Sequence, residues 1–375
     1  MSKAAGSAPA DPALVMRSII QRIATGPELS KDISSEEAQA GMRYILEGNA
    51  DPVQAGIFLI ALRMKRETDD EVKGILNALR EMTDTATAAV DEVLNIADPY
   101  DGFLRMLPAS PFLPALLAAC GVQSVSHGVE RMGPKFGVTH RQVLKAAGMP
   151  VDLSSGQAAA RLDASGPGWA YVDQKNFCPG LYALAALRSK IVKRPVLTTV
   201  EVALCPVRGR HKSHLITGYV HKPYPPIYAM LARHAGFDSA LIVRGVEGGI
   251  VPSLQKTGRI FYYHDRGEEQ YTDIAPADLA INQSVRTTPI PEQVMIAANT
   301  RDQMHAESRD TSALAEASVE AGKDALAGKS GPTREALVFA ASVCLWHLRR
   351  HQSVQAAADE VRHILDSGAA LERLA

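Results

Sequence analysis

The sequence predicts an α/β protein: a small all-helical N-terminal domain followed by a large α/β domain with a mostly parallel sheet. Three observations carry this. Residues 13–83 hold successive amphipathic helix patterns with short connections. From about residue 88, short apolar runs alternate with helical patterns, as in a parallel sheet covered on both faces. Between Cys120 and Gly148, an apolar run meets a polar, glycine-marked turn and then a helical pattern. That order places a ligand site at the carboxyl end of a strand in α/β folds.

Residues 1–12 are polar and small, lack the apolar core of a signal peptide, and are expected to form a disordered leader. Leu14 to Thr25 has helical spacing. Ser34 precedes Glu36 and Glu37 as a cap before acidic first-turn residues, and Gly48 stops that helix. Asp51-Pro52 restarts a helix, because proline is tolerated in a first turn. Thr68 caps another, whose buried face is Val72, Ile75, Leu76 and Leu79. A helix near 179–192 is expected to complete this helical domain.

The α/β domain spans 88–375. Strand-like runs are Val93–Ala97, Val122–Val125, Leu215–Val220, Ser239–Arg244, Ile260–His264 and Gln270–Ile274. Helical runs include Thr139–Ala147 and Pro226–Ala235. Residues 296–313 lack a period and read as a loop. Helices at Leu314–Ala327, Thr333–His351 and Ser353–Asp366 close the chain.

The chain has 375 residues, 46% hydrophobic, and a formal net charge of −1. This length suits two folding units. No apolar stretch approaches 20 residues, so no membrane partner is expected. Its four cysteines are scattered with no metal-ligand spacing, consistent with reduced thiols in a cytoplasmic protein. The chain as a whole is no polycation, so any nucleic-acid role needs a local patch.

Three stretches resemble one family, the anthranilate phosphoribosyltransferases of glycosyltransferase family 3. Leu46 to Ala78 resembles the family's N-terminal helical domain. His127-Gly128, with the helix ending at Gly148, resembles "KHGN…LEALG". Gly331-Pro332-Thr333-Arg334-Glu335 and Ser367-Gly368 resemble its last helices. The resemblance implies a helical domain on an α/β domain, a homodimer, and a ligand cleft between the domains. It also implies transfer of a phosphoribosyl group from phosphoribosyl pyrophosphate (PRPP) with magnesium.

The site departs from that pattern. Where the family has "GTGGDG", this chain has Ala97-Asp98-Pro99-Tyr100-Asp101-Gly102. Glycines let backbone N–H groups reach a phosphate, and proline has none to offer. "KHGN" is Ser126-His127-Gly128-Val129. The family's acidic pair falls on Ile250-Val251, which lack the hard oxygen ligands magnesium takes. The family strand "FNLLGPLTNP" corresponds to Leu197–Pro206. Arg188 and Arg194 match family arginines, one of which holds the acceptor's carboxylate.

The expected ligand cleft therefore comprises Asp101, Gly102, His127, Gly128, Arg131, Arg188 and Arg194, with no catalytic residue assigned. Magnesium is expected only if phosphoribosyl transfer is retained, and no other cofactor is implied. Between Arg188 and Lys212 the basic residues Arg188, Lys190, Lys193, Arg194, Arg208, Arg210 and Lys212 face one acid, Glu201. Such an island reads as an anion groove. A divergent family branch lacking the glycine loop is associated with nucleic-acid binding. Two functions stay open: a divergent homologue binding nucleic acid non-specifically, most simply single-stranded, or an active family enzyme with a remodelled site. A phosphorylated small molecule is the other candidate ligand.

Overall fold

A computed structural model describes residues 11–26, 28–163, 166–294 and 303–374. Its helical unit is α1 (Pro12–Ile23), α2 (Ser35–Leu46), α3 (Pro52–Lys65) and α4 (Asp69–Glu81). Each helix begins on a side-chain acceptor that satisfies otherwise orphaned amides. Asp11 and Asp51 accept from Ala13 and Val53 at 3.0 and 2.8 Å. Ser34 with Glu37, and Thr68 with Glu71, form full capping boxes.

The strands are β1 (Ala86–Thr87), β2 (Glu92–Ala97), β3 (Ser124–Gly128), β4 (Trp169–Asp173), β5 (Val207–Arg208), β6 (Lys212–Gly218), β7 (Ser239–Val243), β8 (Gly258–Tyr263) and β9 (Gln270–Ile274). Seven of them form one sheet in the order β4-β3-β2-β6-β7-β8-β9. The first five run parallel, and β8 and β9 add an antiparallel edge. β1 and β5 make a separate two-stranded ribbon.

The intervening helices are α5 (Leu113–Ala119), α6 (His140–Ala146), α7 (Ser155–Arg161), α8 (Gln174–Phe177), α9 (Pro179–Ala183), α10 (Ala185–Ile191), α11 (Leu197–Val200) and α12 (Tyr224–Ala235). The closing helices are α13 (Ser312–Leu326), α14 (Pro332–His347), α15 (Val354–Asp366) and α16 (Ala369–Glu372).

Period-2 alternation divides the core. Leu94, Ile96, Ile216 and Leu241 pack under α5, α14 and α15. Val93, Ala97, Leu215 and Ile242 pack on the opposite face, with α12 and the helical unit. β2 is central. The chain adds β3 and β4 on one side of it, then crosses to β6 and β7 on the other. The strand order therefore switches between β2 and β6, and ligands of open α/β sheets bind beyond the carboxyl ends at such a point.

Several expectations need correction. Ser126-His127-Gly128 is strand β3 rather than a turn, so the His127 side chain lies in the interior, 2% exposed. Leu197–Ala203 forms α11 and a 3-10 turn rather than a strand. The helix near 179–192 is broken at Leu184 into α9 and α10. Trp169–Asp173, unassigned from the sequence, is a fully buried strand. Within the expected 296–313 loop, residues 303–308 are a 3-10 helix and α13 begins at Ser312. Residues 295–302 lie outside the described residues, as do residues 1–10 of the expected leader, while α1 already begins at Pro12.

The amino ends of the strands hold a buried polar chain. Glu92 meets His214 Nε2 at 3.0 Å, and His214 Nδ1 meets Ser239 Oγ at 2.8 Å. Ser239 Oγ in turn lies 2.9 Å from His347 Nε2, and the His264 ring stacks on His347 at 4.6 Å. Burial, reinforced by His264, His214 and Arg349, drives the His347 pKa well below the usual imidazole value. Burial also pushes His127 down to about 3. A histidine held neutral takes up fewer protons folded than unfolded. Stability is then complete above the unfolded pKa, near 6.5, and falls as pH drops below it. The unfolding free energy from urea melts should fall between pH 7 and pH 5 by about 2 kcal/mol per buried ring, with the midpoint falling in step. A midpoint constant over that range would show that these rings are solvated.

Candidate active-site cleft

A cleft of about 370 Å³ opens where the strand order switches. Ala97 ends β2 and Gly218 ends β6; the residues just beyond them, Pro99, Tyr100 and Asp101 on one side and Tyr219 to His221 on the other, line it. Arg63 of α3 and residues 192–195 form the opposite wall, so the cleft lies between the helical unit and the sheet. Arg63 donates to the Arg194 carbonyl, tying that wall to α3. Val192, a β-branched residue, sits there at φ +63°, a conformation disfavoured for its type.

Two carboxylates bind the floor together. Asp98 Oδ1 accepts from the Ile250 amide at 2.8 Å, and Asp98 Oδ2 lies 2.8 Å from His140 Nε2. In the other direction, Glu247 accepts from the amides of Leu104 and Arg105, the latter at 2.6 Å. Lys135 Nζ stands 3.5 Å from both Glu247 and Asp101. Each loop thus offers its amides to a carboxylate of the other. Glu247 holds this position at φ +54°. Amides of this kind are what a phosphate would use, and here protein oxygen takes them.

Asp101 lines the cleft and is paired with Arg194 through Nε at 3.0 Å and through Nη2. Gly102 is needed for geometry: at φ +72°, a Cβ would lie 2.5 Å from the Gly137 carbonyl carbon. Gly128 ends β3 beside the Tyr171 hydroxyl. His127 Nδ1 bonds the Tyr100 hydroxyl, and the ring meets Phe177 edge-on. Burial, with Glu201 next, pushes the Tyr100 hydroxyl well above its ordinary pKa. Both partners of this pair are neutral and enclosed, so His127 is not presented to a ligand.

Arg188 is also withdrawn. It is 2% exposed and makes a two-pronged pair with Glu201 at 2.7 and 2.8 Å. Gln174 completes the shell on Glu201 at 3.1 Å. A guanidinium so matched has no fork left for a substrate carboxylate. Arg131 donates to the carbonyls of Arg309 and Glu307 at 2.9 and 2.6 Å, clamping that segment instead of lining the cleft.

The basic island does not form one surface. β6 separates its parts: Lys212 begins the strand and Gly218 ends it at the cleft, about 20 Å away by strand rise. Arg210 pairs with Asp91 at 3.0 Å, Lys212 with Asp265 at 3.6 Å, and Arg208 donates to the Ala235 carbonyl. Lys193 lines the cleft, Lys190 is exposed on α10, and neither makes an ion pair among the described residues. The exposed Lys222, just beyond β6, is a further cation that sequence reading missed.

That reading also missed an aromatic wall, Tyr219, Tyr224 and Tyr228. The signal was present in YVHKPYPPIY, where Tyr224 and Tyr228 are one helical turn apart. Starting the helix at Pro226 left Tyr224 out of it.

The donor set does not suit magnesium. Ile250 and Val251 are buried and apolar, and the nearby carboxylates Asp98 and Glu247 are committed to amides. Among the described residues, no group of His, Cys, Asp and Glu is arranged to hold a metal ion.

Residues 17–83 match the profile described as "Glycosyl transferase family, helical bundle domain", and residues 109–371 match "Glycosyl transferase family, a/b domain". The chain belongs to glycosyltransferase family 3. It is anthranilate phosphoribosyltransferase-like, and its fold is that of the solved family enzymes. An uncharacterized protein of Aquifex aeolicus is 32% identical over 222 residues, 59% of this chain and 65% of that protein. The anthranilate phosphoribosyltransferase of Rhodopseudomonas palustris is 24% identical over 96% of both chains. Among solved structures, the Thermus thermophilus enzyme superposes with a TM-score of 0.73 at 18% identity, covering 96% of this chain and 97% of its own. The Saccharomyces cerevisiae enzyme "in complex with PRPP and Mg" gives 0.73 at 15% identity, covering 97% and 96%. No helix among the described residues is long and apolar enough to cross a membrane.

The Arg188–Glu201 pair supports a stability prediction. Glu201→Ala should destabilise the fold by about 3–5 kcal/mol, because it strands a buried guanidinium. The double change Arg188→Met with Glu201→Leu should recover most of that loss in a urea melt. A double variant no more stable than Glu201→Ala would show that the pair itself holds α10 in place.

Proposed function

We propose that this chain is a divergent family member that does not carry out ordinary phosphoribosyl transfer and binds single-stranded nucleic acid non-specifically through the inter-domain cleft. The observation that carries the first half is the pair of carboxylates across the floor. Glu247 and Asp98 engage amides of both loops that would face a pyrophosphate and its metal. Electrostatic stabilisation of a departing pyrophosphate depends on free donors and a metal at that place. The second half is supported by Lys193, which lines the cleft, and by the exposed Lys190 and Lys222, close along the chain to the lining residues Val192 and His221, all without ion pairs among the described residues. Backbone phosphates would supply most of the affinity, so sequence would matter little.

A second reading, retained transfer to a small acceptor, is favoured by the names of the relatives and would bring magnesium with it. One set of measurements separates the two. A labelled 15-nucleotide DNA strand should bind with a log–log salt slope of roughly −2, from about three phosphate contacts. Charge reversal at Lys190, Lys193 and Lys222 should flatten that slope. The same change at Arg208, Arg210 and Lys212 should not, because those side chains lie at the far end of β6. Formation of phosphoribosyl-anthranilate from PRPP and magnesium at an ordinary turnover rate would overturn the proposal.

The exposed apolar residues of the helical unit support a homodimer. Val53, Ile57 and Met64 share one face of α3 and are 68%, 37% and 75% exposed, and Leu14 of α1 is 64% exposed. A stripe of this kind on a helix face is more usual in an interface than on a free surface. Light scattering should give twice the 40.2 kDa chain mass. Val53→Asp with Met64→Asp should give a folded monomer. A parent chain that is monomeric at micromolar concentration would refute the pairing.

A further inference from the structure

The aromatic wall of the cleft does not end at its mouth. Tyr219 meets Phe261 edge-on with ring centroids 5.8 Å apart, and Phe261 meets Tyr271 at 5.9 Å. Register explains the row: Ile242, Phe261 and Tyr271 are direct cross-strand partners on β7, β8 and β9. Phe261 and Tyr271 therefore stand side by side on the face that also carries α12. Within the cleft, Tyr224 and Tyr228 form a second ring pair at 5.9 Å. Rings thus stand both in the cleft and at the outer edge of the sheet; Tyr219, which lines the cleft and touches Phe261, is 5% exposed, and Tyr271 at the edge is 62% exposed.

Two features hold this row as a rigid platform. The Tyr219 hydroxyl donates to the Arg259 carbonyl at 3.1 Å. The Arg259 guanidinium lies 4.6 Å from the Tyr271 ring centre while pairing with Asp273 through two bonds of 2.8 Å. Lys193, Lys222 and Arg244 are exposed near the carboxyl ends of β6 and β7, without ion pairs among the described residues. Stacking rings beside unpaired cations are the pair of features that recognises single-stranded nucleic acid, since every base has a π face and every nucleotide a phosphate.

Resting on the nucleic-acid reading above, we propose that the rings of Tyr224 and Tyr228 in the cleft and of Tyr271 at the antiparallel edge, the last backed by Phe261 and the buried Tyr219, are base-stacking platforms along which a single strand leaves the cleft. The step between rings is near 6 Å, wider than the 3.4 Å between bases stacked along one strand. Each exposed ring therefore takes a base that has separated from its neighbours. Bases, and not only phosphates, then contribute to affinity, with little preference among them. A duplex, whose bases are already stacked and paired, binds more weakly than a single strand.

Fluorescence anisotropy can compare a 15-nucleotide thymidine strand with an abasic strand of the same length, which keeps the phosphates and lacks the bases. The parent should bind the abasic strand at least about ten-fold more weakly, given stacking on two or more rings. Tyr271→Ala and Tyr224→Ala should each weaken the thymidine strand about five-fold or more while leaving the salt slope and the abasic affinity unchanged. Tyr271→Phe and Tyr224→Phe should bind like the parent, because stacking needs the ring and not the hydroxyl. Unchanged thermal melting identifies variants that remain folded, and the largely exposed Tyr271 is the safer of the two. Equal affinity for the two strands, or alanine variants that bind thymidine like the parent, would overturn the platform and leave the phosphate-binding cleft standing. Failure to bind either strand would overturn the cleft reading and the platform with it.

Discussion

Two carboxylates, Asp98 and Glu247, determine what the centre of this protein is. Each leaves its own loop and accepts backbone N–H groups of the other. The two loops follow β2 and β7 and meet over the carboxyl end of the sheet. Crossed in this way, they need no bridging anion to hold them together. A carboxylate on backbone amides is a charge-assisted bond, among the stronger hydrogen bonds available to a protein. The arrangement also explains two residues that look misplaced in the sequence. Pro99 has no N–H to give, and none of these loop-to-loop bonds requires one. Ile250 and Val251 add apolar packing beneath the loop that Asp98 fastens.

The same logic runs through the interior beneath the cleft. Arg188 is neutralised by Glu201, Asp101 by Arg194 and Lys135, and His127 is held uncharged against Tyr100. Burial makes each of these pairings obligatory, because an unpartnered charge in that environment is far more costly than an exposed one. Among the described residues, Lys190, Lys193, Lys222 and Arg244 are exposed cations without ion pairs, and Lys193 lines the cleft. The floor is thus spent on structure, and the walls and mouth keep the groups able to meet a ligand. Tyrosines supply much of one wall, so the cleft combines stacking surface with peripheral positive charge.

Local signals were legible wherever a short stretch of chain decides its own conformation. The capping boxes at Ser34 and Thr68, the proline starts at Pro52 and Pro332, and the strand at Gln270–Ile274 depend on neighbours within a few residues. Trp169–Asp173 escaped because a strand buried on both faces has no alternation to show. Leu197–Ala203 was expected as a strand only because it corresponds to a family strand; it forms α11 and a 3-10 turn, because correspondence of position does not fix local conformation. The family was legible from three separated motifs. So was the loss of the phosphate loop, because glycine, proline and carboxylate have fixed capacities wherever they occur.

What the amino-acid sequence determined by itself was therefore the kind of fold, the family, and the absence of the expected glycines and acidic pair. Only the tertiary structure decided which charges are free. Arg188 and Glu201 lie 13 positions apart and Asp98 and the Ile250 amide 152, and neither pairing can be read from spacing. The basic residues from Arg188 to Lys212 share one stretch of sequence, yet Lys193 and Arg194 line the cleft at the carboxyl ends of the strands while Lys212 begins β6 at the opposite end, a strand length away. The aromatic row is the converse case. Tyr219, Phe261 and Tyr271 are scattered in the sequence and brought ring to ring by strand register, which only the folded sheet supplies.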